Sequence, residues 1–160
     1  MTRSAANAAP LDLDGFEPYQ ARHKGGCLAL FDANCPTYFA ANERADYEGF
    51  LDDLDGNYWV RLQGSTAIAA FGLIDGARIG RLSLNWIMAH PEFHGGGLGR
   101  SIMAAVEMHA RAAGAELVDI AASHLSAPFF ARFGAREVGQ IADGWGPAMH
   151  RVDMELRLPR

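Results

Sequence analysis

Residues 85–114 read NWIMAHPEFHGGGLGRSIMAAVEMHARAAG and decide how this chain folds. They predict a strand that ends at Ala89 or His90, a turn at Pro91, a glycine-rich crossing and then a helix. The glycines of the crossing allow the backbone to approach a ligand closely. Because the first amides of a helix lack internal acceptors and lie at the positive end of its dipole, this corner is predicted to bind phosphate oxygens.

Two common phosphate-binding motifs do not match this corner. A P-loop requires a lysine before its Ser or Thr, whereas Arg100 precedes Ser101 and the glycine spacing ahead of it differs. A dinucleotide fingerprint requires a third glycine at the position that Arg100 occupies, although Asp119 lies at a suitable distance downstream. The sequence therefore indicates neither a nucleoside triphosphatase nor a dinucleotide-binding enzyme.

Periodicity and turn residues extend the interpretation to the rest of the chain. The strand over residues 81–89 is predicted to place Trp86 and Met88 on one face, opposite Asn85, Ile87 and Ala89. Other strands are predicted at residues 16–22, 58–62, 66–74, 116–122, 136–141 and 149–158, with helices at 23–33, 42–56, 98–113 and 126–133. The fold class is therefore α/β, with a mixed, mostly antiparallel sheet of six or seven strands and about four helices.

Composition limits the classes of function. A chain of 160 residues with 49% hydrophobic content suits one domain, predicted at residues 16–160 after a flexible tail at 1–15. The apolar runs are shorter than the ~20 residues of a membrane span, and residues 1–15 lack a signal-peptide core, so we expect a cytoplasmic protein. Cys27 and Cys35 are expected to be reduced, structural thiols, and no metal site is expected. The net charge of −5 includes no basic stripe for nucleic acid.

Two motifs resemble those of the GNAT acetyltransferases. One is Ala89-His90-Pro91 followed by His94-Gly95-Gly96-Gly97-Leu98-Gly99, and the other is the segment APFFARFGA at residues 127–135. The resemblance extends from residue 16 to the C-terminus. It implies a GNAT-like fold that binds acetyl-CoA where the sheet splays, with pantetheine on Ile87, Met88 and Ala89. The pyrophosphate would then lie on His94, Gly95, Gly96, Gly97, Leu98, Gly99 and Arg100.

The resemblance also implies transfer of the acetyl group to a primary amine by direct attack in a ternary complex. Phe130 occupies the position where the family commonly has a tyrosine that protonates the thiolate, so Ser123 and His124 are the replacement candidates. Asn85 stands where some members have a glutamate base, and an amide cannot accept a proton at neutral pH. His124 and His150 are the candidate bases, because histidine titrates near neutrality. His150 is in phase with Val152, Met154 and Leu156, which predicts that it faces inward.

The first two helices and the last hairpin are expected to form the acceptor site. Its predicted rim consists of Tyr38, Phe39, Glu43, Asp46, Tyr47, Asn85 and Trp145. An acidic rim favours a cationic small-molecule or peptide amine, although an acidic helix face is also typical of a solvated surface. Two alternatives stay open, a catalytically silent acyl-CoA-binding or sensing module and a transferase for other acyl groups; association into a homodimer is also left open.

Overall fold

The structure is a computed structural model that describes residues 15–54, 57–93 and 96–159. The predicted tail lies outside these ranges except for Gly15. Within them, seven strands form a single sheet: β1 Phe16–Pro18, β2 Tyr58–Gln63, β3 Thr66–Asp75, β4 Arg81–Ala89, β5 Leu117–Ser123, β6 Arg136–Gly146 and β7 Met149–Arg157. The same ranges contain four α-helices: α1 Lys24–Ala33, α2 Arg44–Asp52, α3 Leu98–Ala112 and α4 Ala127–Arg132.

The strands lie in the order β1-β2-β3-β4-β5-β7-β6. Strands β4 and β5 run parallel and are connected through α3, while the other neighbouring pairs are antiparallel. This confirms the predicted α/β fold with a mixed, mostly antiparallel sheet. None of the helices in the described ranges is both long and apolar enough to cross a membrane.

A hydrophobic core lies on each face of the sheet. On one face, Cys27, Leu30 and Phe31 of α1 pack with residues of α2 and of the sheet. On the other face, Ile102 and Val106 of α3 pack with a larger apolar set that includes α4 and strands β3, β5 and β7. The sheet is thus enclosed between two helical layers, which fixes the ends of β4 and β5 in the interior.

The first predicted strand is too long. The observed strand β1 ends at Pro18, and a turn of 3-10 helix follows at Ala21–His23. The amide of Gln20, just before this turn, donates to His23 Nδ1 at 2.8 Å. The last main-chain hydrogen bond to β2 comes from the Tyr19 amide, which donates to the Tyr58 carbonyl at 2.8 Å. Pairing stops after it because the amide and carbonyl of Gln20 bond to His23 in the 3-10 turn instead.

The start of the second helix is also corrected. The Ala40 amide donates to Glu43 Oε2 at 2.8 Å, which stabilises a turn of 3-10 helix at Ala41–Glu43, so α2 begins at Arg44. The helix ends at Asp52, so the predicted end at residue 56, which lies outside the described residues, is too late.

Candidate active site

A cleft opens where β4 and β5 separate. These two strands pair only from Arg81 to Leu84 and from Leu117 to Ile120, although both continue toward the same end of the sheet. The divergence leaves a cavity of about 980 Å³ between the strands, α3, α4 and the segment that joins α1 to α2. The splay that the sequence predicted is therefore present.

A bulge in β4 shapes the floor of this cleft. Met88 pairs with Ala70 and Asn85 with Gly72. Between these two pairs, β4 has two residues, Trp86 and Ile87, and β3 has one, Phe71. Trp86, at the bulge, has φ 45°, and its carbonyl accepts a hydrogen bond from the Tyr58 hydroxyl at 2.7 Å. The buried Tyr58 is bonded in turn to another tyrosine hydroxyl, at 2.8 Å, so side-chain hydrogen bonds stabilise the strained backbone.

The bulge corrects one prediction about β4. Trp86 and Met88 do share a face and pack on the α1–α2 side, while Ile87 and Ala89 pack on the other side. Asn85, however, lies over Gly72 on the side of Trp86, because the extra residue interrupts the alternation of side chains. Asn85 Oδ1 is buried there without a hydrogen-bond partner among the described residues.

The glycine corner has the geometry of an anion-binding site. Gly96 and Gly97 have φ 61° and 84°, and an added Cβ at either residue would meet no atom within 4 Å. Among the described residues, no side chain caps the N-terminus of α3, so none of them competes with a ligand for the first amides of the helix. Arg100 adds a positive side chain in the first turn and lines the cleft. This open, positive corner fits a diphosphate.

The cleft brings together most of the predicted site residues. Its lining includes Ile87, Met88, Ala89, Gly97, Leu98, Gly99, Arg100, Phe130 and Ser123, together with the rim residues Tyr38, Phe39, Glu43, Asp46, Asn85 and Trp145. Gly96, His124 and His150 are described but do not line it. His94 and Gly95 lie outside the described residues. Tyr47 is fully buried behind the cleft wall, so it is not a rim residue.

His150 does not face inward. Its side chain is 46% exposed, because β5 ends at Ser123 opposite Arg151 and His150 lies beyond this last pair. The ring centroids of His124 and His150 are 4.8 Å apart. The Nδ1 atom of His124 accepts the His150 amide at 3.2 Å, and Nδ1 of His150 accepts the Asp143 amide at 3.0 Å. The two histidines therefore tie the β6–β7 hairpin to the end of β5, outside the cleft.

Aromatic side chains form one wall of the cleft. Phe39 and Trp86 are stacked with ring centroids 6.0 Å apart, and the buried Phe31 contacts both rings from behind. Trp145, from the β6–β7 hairpin, also lines the cleft and donates from Nε1 to the Ala122 carbonyl at 2.9 Å. Of these residues, Phe39 and Trp145 were predicted for the acceptor rim, whereas Phe31 and Trp86 were not predicted as parts of a cleft wall.

The charges in the cleft are separated. Arg100 and Arg132 lie at the end formed by α3 and α4, whereas Glu43 and Asp46 lie at the end formed by the first two helices. Burial raises the pKa of Glu43 above its usual value, and the neighbouring Asp46 raises it further, against the effect of the Ala40 amide. Sequence reasoning missed Arg132, whose position in the APFFARFGA motif two residues after Phe130 could have indicated it. Across the described ranges, no group of three metal-binding side chains is close enough to hold an ion.

Cys27 is an unsuitable nucleophile. It is fully buried, and burial raises the pKa of its thiol from 9.0 to about 11. The thiolate, which is the reactive form, is therefore scarce at neutral pH. This supports direct transfer over a route through an acyl-cysteine at this residue.

We expect the protein to lose stability at alkaline pH because the thiol of Cys27 and the hydroxyls of Tyr47 and Tyr58 are buried. Burial raises the pKa of Cys27, and the pKa values of Tyr47 and Tyr58 also rise, mainly because of burial. As the pH rises, the unfolded chain releases these protons before the folded one does, so the free energy of unfolding falls. Between pH 9.0 and about 11, Cys27 alone contributes a loss of at most about 3 kcal/mol.

Urea unfolding at several pH values checks this prediction. The Cys27→Ala variant is expected to lose less stability across that pH range than the unaltered protein, whereas Cys35→Ala serves as a matched control with the full loss. Parallel stability curves for the two variants would contradict the prediction.

The comparisons with known proteins agree with this geometry. The sequence profile of the Acetyltransferase (GNAT) family matches residues 27–135. Among solved structures, an aminoglycoside 6'-N-acetyltransferase complexed with coenzyme A has 11% identity and a TM-score of 0.72, covering 91% of this chain and 98% of its own. The ribosomal-protein-S18-alanine N-acetyltransferase from Escherichia coli has 11% identity and a TM-score of 0.72, with coverages of 91% and 94%.

A third structure, an N-acetyltransferase from Staphylococcus aureus Mu50, has 14% identity and a TM-score of 0.67, with coverages of 90% and 98%. At these identities the structures establish the common fold. No curated protein matches the sequence. The profile match spans well over half of the residues, and it includes the strand, the glycine corner and α4. The chain therefore belongs to the GNAT family of acetyltransferases.

Proposed function

We propose that the cleft binds acetyl-CoA and transfers its acetyl group directly to a primary amine. The observation that carries the proposal is the continuity of the cleft, which runs from the open glycine corner, through the splay of β4 and β5, to the acidic and aromatic end. The solved aminoglycoside acetyltransferase that shares the fold is complexed with coenzyme A.

The residues along the cleft suit the parts of this donor. The amides at the start of α3, with Arg100, would hold the diphosphate. The unpaired side of β4 from Ile87 to Ala89 would hold the pantetheine chain by main-chain hydrogen bonds, with Phe130 and Ile120 as apolar walls. Apolar walls also exclude water from the end of the donor, which protects a thioester from hydrolysis.

Acetyl-CoA supplies an activated acyl carbon, on which a new C–N bond replaces the C–S bond. The attacking nitrogen must lose a proton, and the departing sulfur gains one. Ser123, which is buried in the lining of the cleft, is our proposed proton donor to the sulfur. Its hydroxyl is 3.1 Å from that of Ser126, so the proton released by the nitrogen can reach Ser123 through Ser126 and replace the one given to the sulfur.

Substitution of three residues tests the proton-transfer roles. We expect Ser123→Ala to lower kcat by about tenfold or more, whereas His124→Ala and His150→Ala keep it within about threefold, because neither histidine lines the cleft. The measurement is thiol release from acetyl-CoA across a pH series. A tenfold loss in either histidine variant, with a shifted pH profile, would restore that histidine as the base.

Calorimetry and turnover together test the proposed function. Coenzyme A is expected to bind the purified protein, and thiol release is expected with at least one amine in a panel of small amines and short peptides. Binding without turnover on any acceptor would support the silent acyl-CoA-binding module, for which the replacement of a tyrosine by Phe130 is the favouring observation. No binding would exclude both functions.

A further inference from the structure

Some acidic residues on the first two helices and in the turn before α2 form ion pairs with basic side chains, and others do not. Three are paired at 2.7–3.1 Å: Asp32 with Arg44, and Glu48 and Asp52 with Lys24. Glu43 and Asp46 are the two that line the cleft, and neither forms an ion pair with any residue in the described part of the chain. The two carboxylates that face the cavity therefore have no basic partner in the described part of the chain.

These two carboxylates repel each other; Glu43 is half-buried, whereas Asp46 is exposed. Glu43 uses one oxygen to accept the Ala40 amide at 2.8 Å, which leaves its other oxygen for a ligand. Burial and Asp46 both raise the pKa of Glu43, so its charged form is less favoured than that of a carboxylate in water. A positive group between the two carboxylates would remove that disadvantage.

The neighbouring walls suit an organic cation. Tyr38, Phe39 and Trp86 line the cavity together with the two carboxylates, whereas the ring of Trp145, which also lines it, already has the Arg151 guanidinium 5.4 Å from its centroid. Faces of aromatic rings attract alkylammonium and guanidinium groups, and they also pack against the methylene chain that carries such groups. A metal ion would not use these surfaces, whereas an aliphatic cation uses both the carboxylates and the rings.

The opposite end of the cleft is positive and leaves no place for the same cation, because the diphosphate of the donor is assigned to it. Arg100, Arg132 and the N-terminus of α3 make that end positive. A molecule with one neutral and one charged amine is therefore held in one direction, with its charge on the acidic residues and its neutral nitrogen toward the splay of β4 and β5.

We propose that the acetyl acceptor is an aliphatic amine that carries a second positive charge, which Glu43 and Asp46 bind against the aromatic wall. This inference rests on the acetyltransfer proposed above and names its class of acceptor. A free diamine and a peptide amine beside a basic residue have the same charge pattern.

Matched pairs of acceptors test the inference. The first pair is 1,4-diaminobutane and 1-aminobutane, and the second is the dipeptides Gly-Arg and Gly-Leu. In at least one pair, we expect kcat/KM from thiol release to be at least about tenfold higher for the acceptor that carries the second positive charge. That acceptor makes a charge-assisted contact that its partner lacks. The pair with the larger ratio identifies whether the acceptor is a free diamine or a peptide.

Neutral variants show whether the two carboxylates cause the preference. Glu43→Gln keeps an oxygen for the Ala40 amide, and Asp46→Asn keeps the size of the side chain. Each is expected to reduce the ratio by about fivefold to tenfold, mainly through KM. Glu48→Gln is the matched control, since this residue lies on α2 with Asp46, pairs with Lys24 and does not line the cleft; its ratio should be unchanged.

The outcomes separate this inference from the function on which it rests. If charged and uncharged acceptors turn over equally, or if the preference survives in the Glu43→Gln/Asp46→Asn double variant, the acceptor inference is overturned while acetyltransfer stands. If coenzyme A binds in calorimetry but no acceptor turns over, or if coenzyme A does not bind, the proposed function fails and takes the inference with it.

Discussion

Replacing Gly97 with phenylalanine is expected to lower the affinity for coenzyme A by at least about 100-fold, equivalent to about 2.7 kcal/mol, while the domain remains folded. A Cβ at this residue meets no protein atom within 4 Å, so the new side chain would extend into the space in front of α3. That space is where we place the diphosphate. Calorimetric titration with coenzyme A measures the loss, and circular dichroism confirms the fold.

Gly114 provides a matched control for this substitution. It has φ 85°, compared with 84° for Gly97, and a Cβ there also meets no atom within 4 Å. Because it lies just beyond the opposite end of α3, Gly114→Phe imposes the same left-handed strain, about 1–2 kcal/mol, at a distance from the corner. Equal affinity of the two variants for coenzyme A would contradict the assignment of the glycine corner.

Truncation of Phe31 to alanine is expected to have the largest effect on stability. Phe31 is fully buried, and its ring lies 5.1, 5.7 and 6.5 Å from those of Phe39, Tyr47 and Trp86. Removing it should lower the free energy of unfolding by about 3–5 kcal/mol, because apolar burial is lost and a cavity remains. Since Phe39 and Trp86 lose their support, the KM for the acceptor should also rise by about tenfold.

Phe71→Ala separates these two effects. Phe71 is equally buried but packs in the core on the other face of the sheet, against Phe16 and Trp59. We expect a similar loss of stability in urea unfolding, with an acceptor KM close to that of the unaltered protein. A comparable rise of KM in both variants would mean that the Phe31 effect reflects general destabilisation rather than loss of the aromatic wall.

Local patterns predicted the parts of this fold that depend on neighbouring residues. The helix α3 and the glycine turn before it can each be recognised from the spacing of a few neighbouring residues. The structure contains the helix, with one buried face, and the turn at Gly96 and Gly97. The phosphate-binding corner was predicted from the same stretch, because its residues are consecutive in the chain, and its binding of the cofactor stays a prediction. The resemblance to a family then supplied the splay of the sheet, which no periodicity contains.

Features that depend on long-range pairing were not predictable. Asn85 was assigned to the wrong face because alternation assumes an uninterrupted pleat, whereas the bulge adds a residue to β4. The direction of His150 was wrong because phase within β7 does not show where the adjacent strand ends. The pairing of Lys24 with Glu48 and Asp52, which leaves other carboxylates unmatched, depends on how two helices pack.

The parting of β4 and β5 also affects how the protein behaves when it is stored. Beyond Leu84 and Ile120, each strand has one side without a main-chain partner in the described ranges, and that side is long enough to accept an extended segment. A loose segment of a neighbouring molecule competes for this groove with the natural donor. Protein freed of acetyl-CoA should therefore precipitate sooner in storage than protein saturated with acetyl-CoA, because the bound donor protects the groove from other molecules.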